Sequence, residues 1–600
     1  MTLRKIILVA LFCWGMTAPA LFSFDTLRIE AALDTVFHQM TGFVSYRIPA
    51  EPSSGTIEFQ LFPNVYSSDS TPYMRRSPFG AQDSPGARRF GQIIVDSVLL
   101  GGMNLTANLK VEYTKGEVAL PKGHKSAGGV FKIFFKTMIP SQGDRLTHRG
   151  REYLLDGWYP SPARLLPDKN WYNPFYGGFS ELVGDYFYFD VKLSLPTGYA
   201  VASAAPPTRD STDDSGRVVN FFFGPAHDFA LAVSPYFRTD SLEIGGTRLR
   251  LFYHSNEAAA LEEIKDVSEK TLRYMNDRVG SYQYDYLNVV LTDISMAGGI
   301  ELPGLVVLHS GGANLVFGRM FRAVVVHEIV HQWFYGMIGS NQVESPWMDE
   351  AVSEFFTSEV LEEYWGREAN LLDFAGFKLS DRNLRRFTAQ FGGDGIIIAQ
   401  PSYQFLNDLD YFSSNYARGG LAIETVDKLL GDSLSDRFWK EYFRRFLFKH
   451  PSESDFLNLL GEFGGARLKD FLDKILYNDY NLNISVSNLR NQRLDTSAVR
   501  IELSFRKTGG LDFPIDYWVY LSNGDTLKGV WDTQSGAEEV VILAESYAVG
   551  AVLDPEDKFA VDRDRLDNSL LLTGSSRPAM RLSSGLLFLL ESLFSAIAGL

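Results

Sequence analysis

Between Phe187 and Leu195 apolar side chains fall at every second position. Phe187, Phe189, Val191, Leu193 and Leu195 alternate with Tyr188, Asp190, Lys192 and Ser194, and Pro196-Thr197-Gly198 then marks a turn. A two-residue period buries one face of an extended chain, so the run predicts a half-buried strand. The same β-rich texture extends from about Phe24 to Phe237 and predicts an N-terminal all-β domain over 24–237. Within it, the polar stretches Ser67 to Gly91 and Asp210 to Gly216 read as long surface loops.

From about Arg238 the period changes. Leu261 to Val279 is amphipathic at helical spacing, while Tyr286 to Leu291 and Leu305 to Leu308 read as strands flanking the loop Gly298-Gly299-Ile300-Glu301-Leu302-Pro303-Gly304. Ala323 to Tyr335, rich in Val324, Val325, Val326, Ile329, Val330 and Trp333, predicts a buried helix. A second helix takes Ser345 as N-cap and Pro346 as its first residue, and Val352, Phe355, Phe356, Val360 and Leu361 carry it to Gly366. The mixed pattern spans 238–478. From 479 to 570, alternating segments such as Val499 to Phe505 predict a small β-sandwich, followed by a tail over 571–600. The fold class is therefore multidomain α+β.

The chemistry is concentrated on the buried helix. His327-Glu328-Ile329-Val330-His331 is followed, after eighteen intervening residues, by Glu350. A four-residue interval puts both imidazoles on one helix face, and Glu350 arrives from the first turn of the next helix to complete a two-histidine, one-carboxylate metal site. Such a site keeps a coordination position open for water, whereas structural zinc is closed by four protein ligands, commonly cysteine, and the chain has only Cys13. Glu328, beside the ligands, is placed to act as a base. Glu354, Glu359, Glu362 and Glu363 read as the solvated face of the second helix, with Glu354 within reach of the ligands' outer shell.

With these residues the chain resembles the gluzincin aminopeptidases of peptidase family M1, whose pattern is HExxH, eighteen residues, then Glu. The run from Gly298 to Gly304 occupies the place of that family's Gly-x-Met-Glu-Asn motif and is close to the Gly-Gly-Met-Glu-Tyr-Pro-Gly version of a bacterial branch. By this resemblance Gly298, Gly299 and Glu301 bind substrate, Glu301 holding its free α-amino group. Ile300 and Leu302 depart from the pattern, which predicts altered hydrogen bonding to the substrate backbone and opens an endopeptidase reading. Asn415-Tyr416-Ala417-Arg418-Gly419-Gly420 resembles the family's Tyr-Glu-Lys-Gly segment, so Tyr416 inherits the role of oxyanion donor, with Tyr411 as the fallback. Pro225 to Ala230 resembles a junction strand, in which His227 is either a ligand or a histidine bonded to backbone.

The resemblance further implies an N-terminal saddle domain, a thermolysin-like catalytic domain and a C-terminal β-sandwich. It implies one Zn2+ per chain, with ligands His327, His331 and Glu350 and with Glu328 and Tyr416 catalytic, and peptide substrates cut by an activated water. A third reading, a catalytically silent binding scaffold, has no need of Glu328 and Tyr416 beside an intact ligand set.

Charge and termini narrow the setting. A net charge of −16 and a pI near 5.2, without a basic run, exclude a nucleic-acid surface. Arg4 and Lys5 before the apolar run Ile6 to Trp14, then Ala18-Pro19-Ala20, predict a signal peptide within 1–23 and a periplasmic or secreted protein. Gly585 to Leu600 is apolar, carries Glu591, and is too short for an ordinary span. It reads as an interfacial or partner-docking helix, with peripheral membrane contact as its consequence, or as a core-covering terminal helix. The pattern specifies no oligomeric state.

Overall fold

The computed structural model describes residues 24–572 apart from 77–89, 142, 178–180, 215, 295–297, 314–317, 367–369, 375–376, 392–394, 479–480 and 496–497. The leader, Cys13, the tail helix and much of the Ser67 to Gly91 stretch lie outside the described residues.

An eight-stranded sheet dominates the N-terminal region. Its centre pairs Thr26–Asp34 in parallel with Phe187–Leu195 and antiparallel with Gln39–Arg47. Phe187–Leu195 alternates buried and less buried positions along its whole length, as its sequence period requires. Asp210 to Gly216 is not a loop: Arg209–Asp213 forms an exposed edge strand in a hairpin with Gly216–Ala226. Ladder hydrogen bonding, rather than side-chain burial, holds that polar strand.

The central region carries a five-stranded sheet in the order Arg238–Ile244, Thr247–Tyr253, Tyr286–Thr292, Leu305–His309, Gly299–Leu302. The three inner strands are parallel and both edge strands antiparallel. Helix Leu261–Arg278 connects two of the parallel strands and buries Leu261, Ile264, Val267, Leu272 and Met275 at helical spacing. The metal helix, Gly318–Val330, starts and ends earlier than the pattern predicts. Beyond Val330 the backbone tightens, with the amides of Gln332 and Trp333 reaching the carbonyls of Ile329 and Val330 at 3.0 and 2.9 Å, and Tyr335 takes a positive φ of 138°. The carboxylate helix is Trp347–Trp365; Pro346 before it already has helical φ and ψ, its carbonyl accepts from the Glu350 amide at 3.2 Å, and no side chain caps the first turn. A three-stranded and a four-stranded sheet built from 483–571 follow the last helix.

The N-terminal and central regions meet through buried polar contacts. Asn288 Nδ2 donates to the Ala204 carbonyl at 3.0 Å, and Thr292 Oγ1 donates to Glu152 at 2.6 Å. His227 Nε2 lies 2.8 Å from the carbonyl oxygen of Tyr335, so it donates there and is a junction histidine, not a metal ligand. No helix among the described residues is long and apolar enough to cross a membrane.

Burial holds the His227 pKa down at about 4 from its ordinary 6.5. The folded protein therefore keeps His227 neutral while the unfolded chain protonates it below pH 6.5, so this contribution to stability falls as the solution is acidified from 6.5 towards 4. The loss by pH 5 is about 2 kcal/mol. His227→Gln preserves a donor for Tyr335 and removes the titration. Denaturant unfolding at pH 7 and pH 5 should show the parent losing more stability than the variant by that amount, and equal losses would contradict a buried neutral His227.

Candidate metal centre

The metal helix and the carboxylate helix bring together the residues that the spacing singles out. His327 Nε2 and His331 Nε2 are 3.0 Å apart, and Glu350 Oε2 lies 3.3 and 3.4 Å from them. Among the described residues these three form the one group of His, Cys, Asp or Glu whose donor atoms all lie within 4.8 Å of one another. His331 Nδ1 donates to the carbonyl of Phe334 at 3.0 Å, which leaves Nε2 as its free lone pair.

Charge makes the cluster a cation site. Glu301, Glu328, Asp349, Glu350 and Glu354 surround two imidazoles in a largely buried space. Burial works against charge on His331, yet Glu301 and Glu350 outweigh it and raise the ring to about 9. Glu350 also pays for burial, but its contacts to both histidines hold it at about 2. Burial and then the neighbouring Glu301 lift Glu328 to about 8, and burial and then Glu350 raise Asp349. A divalent cation relieves this anionic surplus, and Glu350 Oε2, buried between the two Nε2 atoms, is oriented to take it. Two imidazoles and one carboxylate fit zinc.

The Glu301 segment is a strand, not a loop. Gly299–Leu302 pairs antiparallel with Leu305–His309 across the two-residue turn Pro303-Gly304, where Gly304 takes a φ of +71°. Strand alternation separates its residues. Ile300 and Leu302 are 3% and 1% exposed and join the apolar cluster of Leu154, Ala202, Val290 and Val307, so their side chains serve the core. Gly299 and Glu301 take the opposite face. A Cβ on Gly299 would stand 2.5 Å from Glu328 Cγ, so the glycine is what lets that carboxylate approach the strand. Gly298 takes a φ of +80° at the strand's entry.

Tyr416 sits in a π-helical segment, Phe412–Gly419, continuous with helix Gly420–Leu430. Its hydroxyl donates to Glu350 Oε1 at 2.5 Å and its ring stacks 5.5 Å from His327. Tyr411 packs edge-on against Phe405 and Tyr416, and the hydroxyl that bonds Glu350 is that of Tyr416.

Several contributors are invisible to the motif. Gln332 accepts from the Gly304 amide at 2.8 Å and donates to the Leu302 carbonyl at 3.0 Å, pinning the Glu301 hairpin to the end of the metal helix. Arg145 from the N-terminal region binds Glu181 and, at 3.1 Å, Asp156, and it lies within the field of Glu301. Glu354, Glu359 and Glu362 do not form a solvated face. Glu354 meets His327 and Arg385, Glu359 accepts from Tyr274 at 3.4 Å, and Glu362 pairs with Arg382 at 3.0 Å; only Glu363 points to solvent.

An HExxH helix, a carboxylate from the following helix and a mixed sheet behind them define the gluzincin class of metal domain. Residues 264–475 match the peptidase family M1 domain. Over this stretch, about a third of its length, the chain is similar to that family. Among curated relatives it is 24% identical over 195 residues to aminopeptidase N of Lactococcus lactis, covering 31% of this chain and 22% of that one. It is 23% identical over 323 residues to leucine aminopeptidase 2 of Yarrowia lipolytica, covering 52% and 48%. The chain thus spans less than half the length of these curated relatives. Solved structures share the fold at low identity. An M1 zinc metallopeptidase from Deinococcus radiodurans has a TM-score of 0.54 at 15% identity, covering 76% of this chain and 92% of that chain. Legionella pneumophila aminopeptidase A has a TM-score of 0.64 at 12% identity, covering 90% and 59%.

Purified protein should carry one zinc per chain, measured by elemental analysis after gel filtration. His331→Ala and Glu350→Ala should each lose most of it, and variants that retain parent zinc content would place the metal elsewhere.

Proposed function

We propose that the protein is a zinc-dependent aminopeptidase that releases residues from the free amino termini of peptides. The observation that carries this reading is the convergence of Glu301, Glu328 and Tyr416 on the His327, His331 and Glu350 cluster.

His327, His331 and Glu350 would hold the zinc, which when bound would supply an acidified water and Lewis acidity at the scissile carbonyl. Every other task falls to side chains. Glu328, on the helix between the two histidines and fitted against Gly299, takes the proton of the attacking water and delivers it to the leaving amine. The Tyr416 hydroxyl, kept protonated by burial and by Glu350, donates to the oxyanion as charge develops. Glu301 holds the substrate ammonium from the strand edge and so fixes the number of residues that fit before the scissile bond. The inward turn of Leu302 leaves this anchor unobstructed and favours the exopeptidase over the endopeptidase reading.

One peptide series with free and acetylated amino termini tests the reading. Mass spectrometry should show stepwise loss of single residues from the free forms only, and internal cuts in both forms would replace the aminopeptidase with an endopeptidase. Glu328→Gln should abolish turnover with zinc still bound; full activity in that variant would exclude this mechanism.

Tyr416→Phe removes one oxyanion donor and should lower kcat about 100- to 1000-fold with a small change in KM. A loss confined to KM would instead make Tyr416 a ground-state contact.

A further inference from the structure

Glu354 lies one helical turn after Glu350 on the carboxylate helix, and its Oε2 is 3.2 Å from His327 Nδ1. His327 Nε2 is turned to His331 Nε2 and Glu350 Oε2, so the proton of the neutral ring resides on Nδ1 and requires an acceptor. For His331 that acceptor is a backbone carbonyl, Phe334 at 3.0 Å. For His327 it is a carboxylate, and the nearby Thr357 Oγ1 is farther, at 3.5 Å.

Glu354 is itself fixed. Arg385, 1% exposed, brings Nε to 3.5 Å from Glu354 Oε1 and donates through Nη2 to the Glu354 carbonyl oxygen at 2.9 Å. The same guanidinium is bound by Asp381 at 2.8 Å and by Ser358. Gly420, the first residue after the tyrosine segment, closes the space, since a Cβ there would meet Arg385 Cδ at 3.2 Å and Glu354 Cγ at 3.3 Å. Three elements thus confine one carboxylate against one imidazole: the carboxylate helix, helix Asp381–Thr388, and the helix that continues the tyrosine segment.

We propose that Glu354 is a positioning residue for the metal centre, accepting the Nδ1 proton of His327 and held in place by Arg385. A carboxylate there fixes the ring's tautomer and orientation and strengthens Nε2 as a ligand, and loss of such a partner typically weakens metal binding about 10- to 100-fold. The inference rests on the zinc reading of the site and not on the peptidase reading.

The test is the zinc dissociation constant, measured by competition with a chromophoric chelator, for parent, Glu354→Ala, Glu354→Gln, Glu354→Asp and Arg385→Gln. Glu354→Ala should bind zinc about 10- to 100-fold more weakly. Glu354→Gln keeps the volume but not the charge and should fall between Ala and parent, Glu354→Asp should recover part of the loss, and Arg385→Gln should weaken binding in the same direction. Thermal unfolding of the zinc-free Glu354→Gln and Glu354→Asp proteins should stay near parent, which separates positioning from a general structural role. If Glu354→Ala fails to fold, the isosteric Gln variant decides. Affinity within twofold of parent in a folded Gln or Ala variant overturns the inference alone. A parent that binds no zinc overturns it together with the metal site, and a parent that binds zinc with the expected variant order yet cuts no peptide overturns only the peptidase.

Discussion

Two imidazoles share a largely water-excluded space with more carboxylates than they can neutralise. Glu301, Glu328, Asp349, Glu350 and Glu354 all approach His327 or His331, and in the cation-free protein the histidines are forced up and Asp349 and Glu328 are forced towards their neutral forms. Concentrated like charge at low dielectric is unfavourable unless a cation or a guanidinium compensates it. Much of the surrounding architecture answers that constraint. Zinc suits one side of the cluster, and Arg385, with Asp381 and Ser358 around it, supplies buried positive charge on the other.

The scaffold that holds these charges is rigid where the chemistry needs it. Gln332 ties the Glu301 hairpin to the end of the metal helix, so the proposed amine anchor and the proposed base are held by a single side chain next to a metal ligand. The backbone tightening after Val330 and the positive φ of Tyr335 turn the chain so that the Tyr335 carbonyl reaches His227 of the N-terminal region. That bond joins the N-terminal region to the chain just after the metal ligands.

What was legible in the sequence follows the range of the forces involved. His327, His331 and Glu350 could be read because helical periodicity converts a spacing of four into a shared face, and because a helix start at Pro346 brings the next carboxylate in. The strand at Phe187–Leu195 was legible for the same reason at period two. Glu354 and Arg385 were not, since a run of glutamates on one helix looks solvated until a distant segment, Asp381–Thr388, is laid against it. The π-helical turn around Tyr416 depends on tertiary packing and leaves no local pattern. The Glu301 hairpin carried a signal that was available: Pro303-Gly304 between two short apolar runs is turn chemistry, and it would have placed Ile300 and Leu302 on one face.

That hairpin bears on how the motif is compared among relatives. Because residues 299 and 301 look towards Glu328 while residues 300 and 302 look into the core, a five-letter signature holds two superimposed messages. One is chemical, since any side chain at 299 would meet Glu328; the other is volumetric, set by the space that Leu154, Ala202 and Val307 leave for residues 300 and 302.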